Sequence, residues 1–316
     1  MSRYIMRRVL IIIPTLIGVS MILFAVMMIA PGGPEAVLMG DDISAEAAAR
    51  IRANLGLDQP IPVQYFRWFT NMLQGDLGNS FRTGEPVIDL IVDRLPNSLV
   101  LTVAAFAFAL VVAIPFGVIA AVKHNSLIDK AASVIAFLGV SFPSFWLGIV
   151  FILIFAFRLG WFPVSGMAPY GMDRDILVRL HHLVLPAVTL GSVQMATYMR
   201  FTRSGMLEVL QQDYIRTANA KGLHPRTVVI KHALRNGLIS VITVVGLSLP
   251  ALVGGAVLTE TIFAWPGVGR LAVNAVFQRD YPIIMGVNMA VATVTVLVNL
   301  LVDVVYTMVD PRIAFD

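Results

Sequence analysis

The sequence predicts an all-α fold of membrane-spanning helices, and three observations predict it. Hydrophobic residues make up 58% of the 316 and charged residues only 13%, whereas soluble domains carry charge at about a quarter of positions. The apolar residues are gathered into runs long enough to cross a bilayer, which takes about 20 residues of helix. The cations between the runs are unevenly shared, with a dense cluster between residues 200 and 237. Cysteine is absent, which excludes disulfides, thiol catalysis and cysteine-held metals.

Six spans are predicted, over residues 9–29, 98–122, 131–157, 183–199, 238–258 and 283–309, within a single domain of residues 1–316. The first run is read as a retained span. It is long for a signal peptide, and no small-x-small cleavage site follows it before Pro31-Gly32-Gly33-Pro34. The fourth is the shortest and is expected to continue as helix past Arg200. Pro14, Pro115, Pro143, Pro186 and Pro250 lie inside the runs, where each removes a backbone hydrogen bond and favours a kink.

Charge sets the orientation, because short cytoplasmic segments collect Lys and Arg. With the N-terminus inside, the inner segments hold Arg3, Arg7 and Arg8, then Lys123 and Lys130, then Arg200, Arg203, Arg216, Lys221, Arg226, Lys231 and Arg235, and finally Arg312. These are more than half of the 23 Lys and Arg, in the shorter share of the connecting sequence. Both termini are then expected in the cytoplasm, with residues 200–237 as the main cytoplasmic loop.

Residues 31–96 form an extracytoplasmic insertion with helices of its own. Ser44 can cap a helix over 45–55 that Gly56 ends. Val63, Phe66, Phe69, Met72 and Leu73 recur at helical spacing before Gly75. Residues 87–95 make a third short amphipathic piece. None is long enough to span. They are expected on the outer face, flat against the headgroups, either as a cap over the outer mouth or as a surface for a partner.

The last span carries polar residues. Asn288, Thr295, Asn299 and Asp303 fall roughly on one face of a helix. Asn288, Thr295 and Asn299 are candidate pore-lining residues, with hydrogen bonding between helices as the alternative. Asp303, near the inner end, is expected to pair with an inside Arg or Lys.

Catalytic signatures are missing. No lysine follows a glycine, so no phosphate-binding loop of the Gly-Lys-Ser/Thr kind exists. His181 and His182 are adjacent and share no helix face, and Ser165 lacks the first glycine of a nucleophile elbow. No catalytic residue, cofactor site or metal site is assigned. A pump built on this chain needs a separate motor.

The polar loop reads as two helices with a break. The first is expected to run on from the fourth span to Lys221, where Gly222 suits the left-handed position that closes a helix. Pro225 suits the first turn of the next, which is expected to reach Asn236. On that second helix Thr227, Lys231 and Arg235 form a polar line, widened by His232 and Asn236, with Val229, Ile230, Ala233 and Leu234 opposite. Ala218, Ala220 and Gly222 are small enough for another backbone to approach. Such a construction fits a groove on another protein. Its charge alone fits lipid phosphates equally well.

The run Asp213-Tyr214-Ile215-Arg216-Thr217-Ala218-Asn219-Ala220-Lys221-Gly222, followed by His232-Ala233-Leu234-Arg235-Asn236, resembles the cytoplasmic loop of ABC-importer permeases. More narrowly it is similar to the B-type permease of the dipeptide, oligopeptide and nickel import family. The wider superfamily has Glu-Ala-Ala where Arg216, Thr217 and Ala218 stand, and Ile, Leu and Pro where His232, Leu234 and Arg235 stand. The likeness extends along the chain, through Arg7-Arg8, Pro31-Gly32-Gly33-Pro34 (with Gly33 where Asp is usual), Leu55-Gly56-Leu57-Asp58-Gln59-Pro60, Gly75-Asp76-Leu77-Gly78 and Thr202-Arg203-Ser204. It continues in Leu207-Glu208-Val209-Leu210, Thr259-Glu260-Thr261-Ile262-Phe263, Trp265-Pro266-Gly267-Val268-Gly269-Arg270, Arg279-Asp280-Tyr281-Pro282, Asn299-Leu300-Leu301-Val302-Asp303 and Asp310-Pro311-Arg312.

The resemblance implies a six-span permease of the type I ABC-importer kind in a bacterial or archaeal inner membrane. It implies a second, similar permease, two cytoplasmic ATPase subunits and an extracytoplasmic solute-binding protein as partners. The loop would supply a coupling helix to a groove on one ATPase. Arg216, Thr217, Ala218, Ala220, Lys221, Gly222, Lys231, His232 and Arg235 are the candidate coupling residues. Peptides are the cargo implied, with nickel chelates, glutathione or another small solute as alternatives. A stand-alone secondary carrier is the reading from another class. It is disfavoured by the lack of an inverted repeat and of mid-membrane charge.

Overall fold

A computed structural model describes residues 2–29, 58–172 and 175–309, and every long element in it is a helix. In order these are α1 (Ser2–Ile29), α2 (Ile61–Leu73), α3 (Val87–Val122), α4 (Leu127–Ser141), α5 (Ser144–Arg158), α6 (Ile176–Leu210), α7 (Asp213–Ala220), α8 (Pro225–Gly237), α9 (Ile239–Ile262), α10 (Val268–Gln278) and α11 (Tyr281–Val309). Among the described residues four helices are long and apolar enough to cross a membrane, and up to six spans result if each of two bent pairs counts as one. The helix expected over 45–55, the Pro31-Gly32-Gly33-Pro34 motif and the Asp310-Pro311-Arg312 close lie outside the described residues.

Two compact units are present. The first takes its described residues from Met1–Ser98 and Pro266–Val304. Here α2 lies against α1: Phe24, Tyr65 and Met285 are buried together, and the Tyr65 and Ser20 hydroxyls share a buried hydrogen bond of 2.8 Å. A second cluster joins Val87 and Ile91 of α3 to Val268, Leu271 and Ala275 of α10 and Ile283 and Val287 of α11. The turn between α2 and α3 is fastened by Ser80, whose hydroxyl donates to the buried Asp280 carboxylate at 2.6 Å and accepts from the amides of Arg82 and Thr83.

The short piece expected over 87–95 is the first part of α3 and runs unbroken into the second span. Arg94, Pro96, Asn97 and Ser98 suggest a boundary in the sequence because they are polar or helix-breaking. The structure uses two of them as ties: the Asn97 side chain donates to the Pro266 carbonyl at 3.0 Å, and the Ser98 hydroxyl accepts from the Val268 amide at 2.8 Å.

The second unit takes its described residues from Leu99–Trp265 and Val305–Ile313. Helix α6 contributes to each of its buried clusters, through Leu183, Ala187 and Leu190, through Ala196, Tyr198 and Met199, through Met206, and through Leu185. Small residues let neighbours come close, as they do where helices associate in lipid and packing replaces the hydrophobic drive. A Cβ on Gly191 would sit 2.5 Å from the Ala105 carbonyl of α3. Ala132 and Ala136 of α4 pack beside Ala196, and Tyr198 shares a 2.6 Å hydrogen bond with Ser248 of α9. The connection before α6 is tied down as well, with His181 bonded to the Trp161 carbonyl at 2.7 Å and His182 to that of Gly166 at 3.2 Å.

Residues 131–157, expected as one helix, are two helices bent by 108° at Phe142-Pro143. Proline pushes the residue before it out of the helical region, and Phe142 is extended at φ −93°, ψ 136°. Pro14 and Pro186, by contrast, sit inside continuous helices.

Candidate functional site

The segment after α6 is built from local rules. Helix α6 runs past Arg200 as expected but stops at Leu210, so the continuous helix predicted to Lys221 is interrupted. Gln212 is extended at φ −71°, ψ 149°, and α7 starts afresh with Asp213 in its first turn, where a negative charge favours the helix N-terminus. Ile215 and Ala218, three residues apart, face inward and are buried with Ala121, Met206, Val228 and Ala233. Burying an Ile side chain of this kind contributes about 1.5–3 kcal/mol, enough to seat a two-turn helix that could not persist alone.

The other face of α7 is open and polar. The Asp213 and Arg216 side chains are 95% and 75% exposed and pair loosely at 3.4 Å. Thr217, Ala220 and Lys221 are exposed with them. Ala218 is the exception among the candidate coupling residues: it is buried, and its small size serves contact with this chain's own helices.

Gly222 ends α7 at φ +74°. The Gly222 amide donates to the Asn219 carbonyl at 2.9 Å and the Leu223 amide to that of Ala218 at 3.4 Å, the paired bonds of a Schellman close. No atom lies within 4 Å of a Cβ built on Gly222, so its role is backbone conformation and not space. His224 then caps α8, its Nδ1 accepting from the Arg226 amide at 3.2 Å, with Pro225 in the first turn.

Helix α8 departs from the expected spacing. Val228–Ala233 winds as a π-helix, whose bonds reach five residues. Val228 and Ala233, five apart, accordingly share the buried face. Ile230 turns outward at 65% exposure, against the expectation that it lies opposite the cationic line. Lys231 and Arg235 are exposed and His232 is half-buried. The Asn236 side chain donates to the Tyr214 hydroxyl at 2.9 Å, tying the end of α8 to α7.

Two features seat this segment on the helices behind it. A Cβ on Gly205 of α6 would meet the Gly237 carbonyl at 2.5 Å, so α6 and α8 touch backbone to backbone. Two residues earlier on α6, Arg203 forks onto Asp129 at the start of α4, with contacts of 2.5 and 2.9 Å. His124 approaches the same carboxylate at 3.2 Å, and the Asn125 amide donates to it at 2.9 Å. The Asp129 side chain is only 4% exposed. Its desolvation is offset by the bidentate guanidinium. Sequence reasoning passes over Asp129, although Ser126-x-x-Asp129 has the spacing of a capping box, and the Ser126 hydroxyl does accept from the Asp129 amide at 3.3 Å.

The pore candidates on α11 stand apart from this segment in sequence. Asn288 and Asn299 are exposed and Thr295 is half-buried. Asn288 and Thr295 each donate to the carbonyl four residues earlier, at 2.7 Å, so neither spends that donor on another helix. Asp303 pairs with Arg8 of α1 at 3.1 Å, as expected of it. Among the described residues no cluster of three or more His, Asp or Glu side chains could hold a metal ion.

Residues 113–315 match the family model described as the binding-protein-dependent transport system inner membrane component, and residues 1–102 match its N-terminal companion. An oligopeptide transport system permease protein, AppB of Bacillus subtilis, is 45% identical over 316 residues, covering both chains completely. A dipeptide transport system permease protein, DppB of Escherichia coli, is 42% identical over 335 residues, covering 99% of each. Among solved structures, a chain of the inward-facing MetNI methionine ABC transporter superposes with a TM-score of 0.56 at 20% identity, over 70% of this chain and 96% of that one.

Proposed function

This chain belongs to the family of binding-protein-dependent transport permeases, the inner-membrane components of ABC importers, and on that premise we propose that it forms half of a peptide-translocating pore driven through α7 and α8 by an ATPase. ATP hydrolysis resides in separate subunits of these transporters, and a binding protein supplies the solute. Peptide as cargo is carried over from the oligopeptide and dipeptide permeases that match along the full chain. The other half of the pore is a second, similar permease, and two ATPase subunits complete the machine.

In this reading residues 200–237 and both termini face the cytoplasm. The cation distribution favours it. The Arg8–Asp303 pair supports it too, by joining the start of α1 to the closing turns of α11. Arg203 and Asp129 likewise join the Lys123–Lys130 connection to the end of α6.

The observation that carries the coupling role is the two-faced construction of α7. Its inner face is seated in the protein by Ile215 and Ala218, while Arg216, Thr217, Ala220 and Lys221 are left exposed on a helix closed by Gly222. A partner that pulls on the exposed face moves the helices behind it, because Gly205–Gly237 and Arg203–Asp129 leave little slack. ATP-driven closure of the ATPase pair would thereby switch the pore.

Replacing Gly222 by Val tests this. A β-branched residue is strained at φ +74°, at a cost of about 1–2 kcal/mol for the left-handed region, so the close of α7 is distorted while nothing is crowded. ATP-dependent uptake by the reconstituted transporter should fall several-fold with membrane insertion unchanged. Normal uptake by G222V would contradict the coupling role.

A further inference from the structure

Helix α2 has three sides, and each carries a different chemistry. One side packs on α1: Tyr65 is buried against Ser20 and Phe24, and Trp68 and Phe69 pack around them. A second flank carries Gln64, Arg67 and Asn71, with Arg67 and Asn71 exposed. The third carries Phe66 at 65% exposure and Leu73 at 68%, with Val63 beside them at 45%. At about 100° per residue, the Phe66–Leu73 flank and the Arg67–Asn71 flank are centred about 130° apart around the helix.

The level of α2 along α1 is fixed by its hydrogen bond. Ser20 lies within the apolar span Met6–Ile29, nine residues before its end, which is about 13 Å along a helix rising 1.5 Å per residue. A tyrosine side chain does not bridge that distance from outside the bilayer. The α1 surface at this level is itself apolar and open, with Met21, Ile22 and Val26 each more than half exposed. Phe66 and Leu73 of α2 are likewise apolar and open.

We infer that α2 is an interfacial membrane helix, sunk into the leaflet at the C-terminal end of α1. Its Phe66–Leu73 flank lies in acyl chains and its Arg67–Asn71 flank lies among headgroups. A helix with one apolar and one charged flank settles at this boundary, and the arginine stem can lie along the apolar surface with its head in the phosphates. Docked so, α2 braces α1 from the side, and its apolar flank is not a seat for the soluble binding protein. The inference rests on the chain's membership of a membrane-spanning family and is independent of ATPase coupling.

The chain has no cysteine, so a single introduced cysteine is the one thiol within it, and modification is read on the permease band after the subunits are separated. Phe66→Cys, Leu73→Cys and Asn71→Cys are each prepared in the full transporter in lipid nanodiscs. A fluorophore attached at position 66 or 73 should be quenched several-fold more strongly by acyl-chain nitroxide lipids than one attached at position 71. A membrane-impermeant maleimide should readily modify only the Asn71→Cys variant. Leu73→Cys repeats the Phe66→Cys measurement on the same flank if the latter variant assembles poorly. Ready modification of both Phe66→Cys and Leu73→Cys by the impermeant reagent would overturn the assignment. So would protection of both by the binding protein or by the second permease without quenching from lipid.

Discussion

Two ion pairs hold long helices together, and they differ in almost everything but charge. Asp129 and Arg203 meet through two short contacts, with the carboxylate 4% exposed and a backbone amide adding a third bond. Arg8 and Asp303 meet at 3.1 Å, with side chains 46% and 21% exposed. The first is a buried, geometrically determined joint. The second is a more exposed contact. Exposed pairs contribute about 0–1 kcal/mol, while stripping one partner from a buried pair costs about 3–5 kcal/mol because the other is left uncompensated.

The largest expected effect follows from that difference. Asp129→Ala should lower the stability of the purified protein by about 3 kcal/mol, near the low end for a buried pair because Arg203 keeps 28% exposure. Asp303→Ala should cost about 0.5 kcal/mol. Thermal unfolding of the two variants in one detergent checks the ranking. Equal losses would show that burial does not separate the pairs.

A smaller effect is expected from cations of the same segment that face outward. Lys231 and Arg235 are exposed, so Lys231→Glu with Arg235→Glu should leave thermal stability unchanged. Association with the ATPase should weaken several-fold, and its salt dependence should flatten, as for charges at the rim of an interface. A change confined to anionic-lipid binding would assign these cations to the membrane.

The two pairs also mark what the sequence can disclose. Asp303 stands out because a carboxylate in an apolar run is conspicuous, and its pairing follows from that. Asp129 lies in a short polar connection where acids are ordinary, and only the fold carries it inward beneath Arg203. The same divide runs through α7 and α8. The break between them is legible because Gly222 and Pro225 act through their own backbone. The stop after Leu210, the burial of Ala218 and the π turn that exposes Ile230 depend on packing against α3 and α6, which periodicity cannot register. The 108° bend at Phe142-Pro143 is foreshadowed by a proline, but Pro14 and Pro186 carry the same signal and do not break their helices. The path of α3 through residues 94–98 is hidden because its polar residues look like a boundary and are anchors to the segment that opens α10.

In the proposed coupling the exposed face of α7 meets the ATPase while its other face belongs to this chain. Neighbouring positions test it most directly, since Thr217 is exposed and Ala218 is 6% exposed. A benzophenone attached to Thr217→Cys in the assembled transporter should cross-link to the ATPase subunit on illumination. The same probe on Ala218→Cys should cross-link only within the permease or fail to attach. An ATPase adduct from the Thr217→Cys variant and none from the Ala218→Cys variant is the predicted result. No ATPase adduct from position 217, or equal adducts from both positions, would contradict the account.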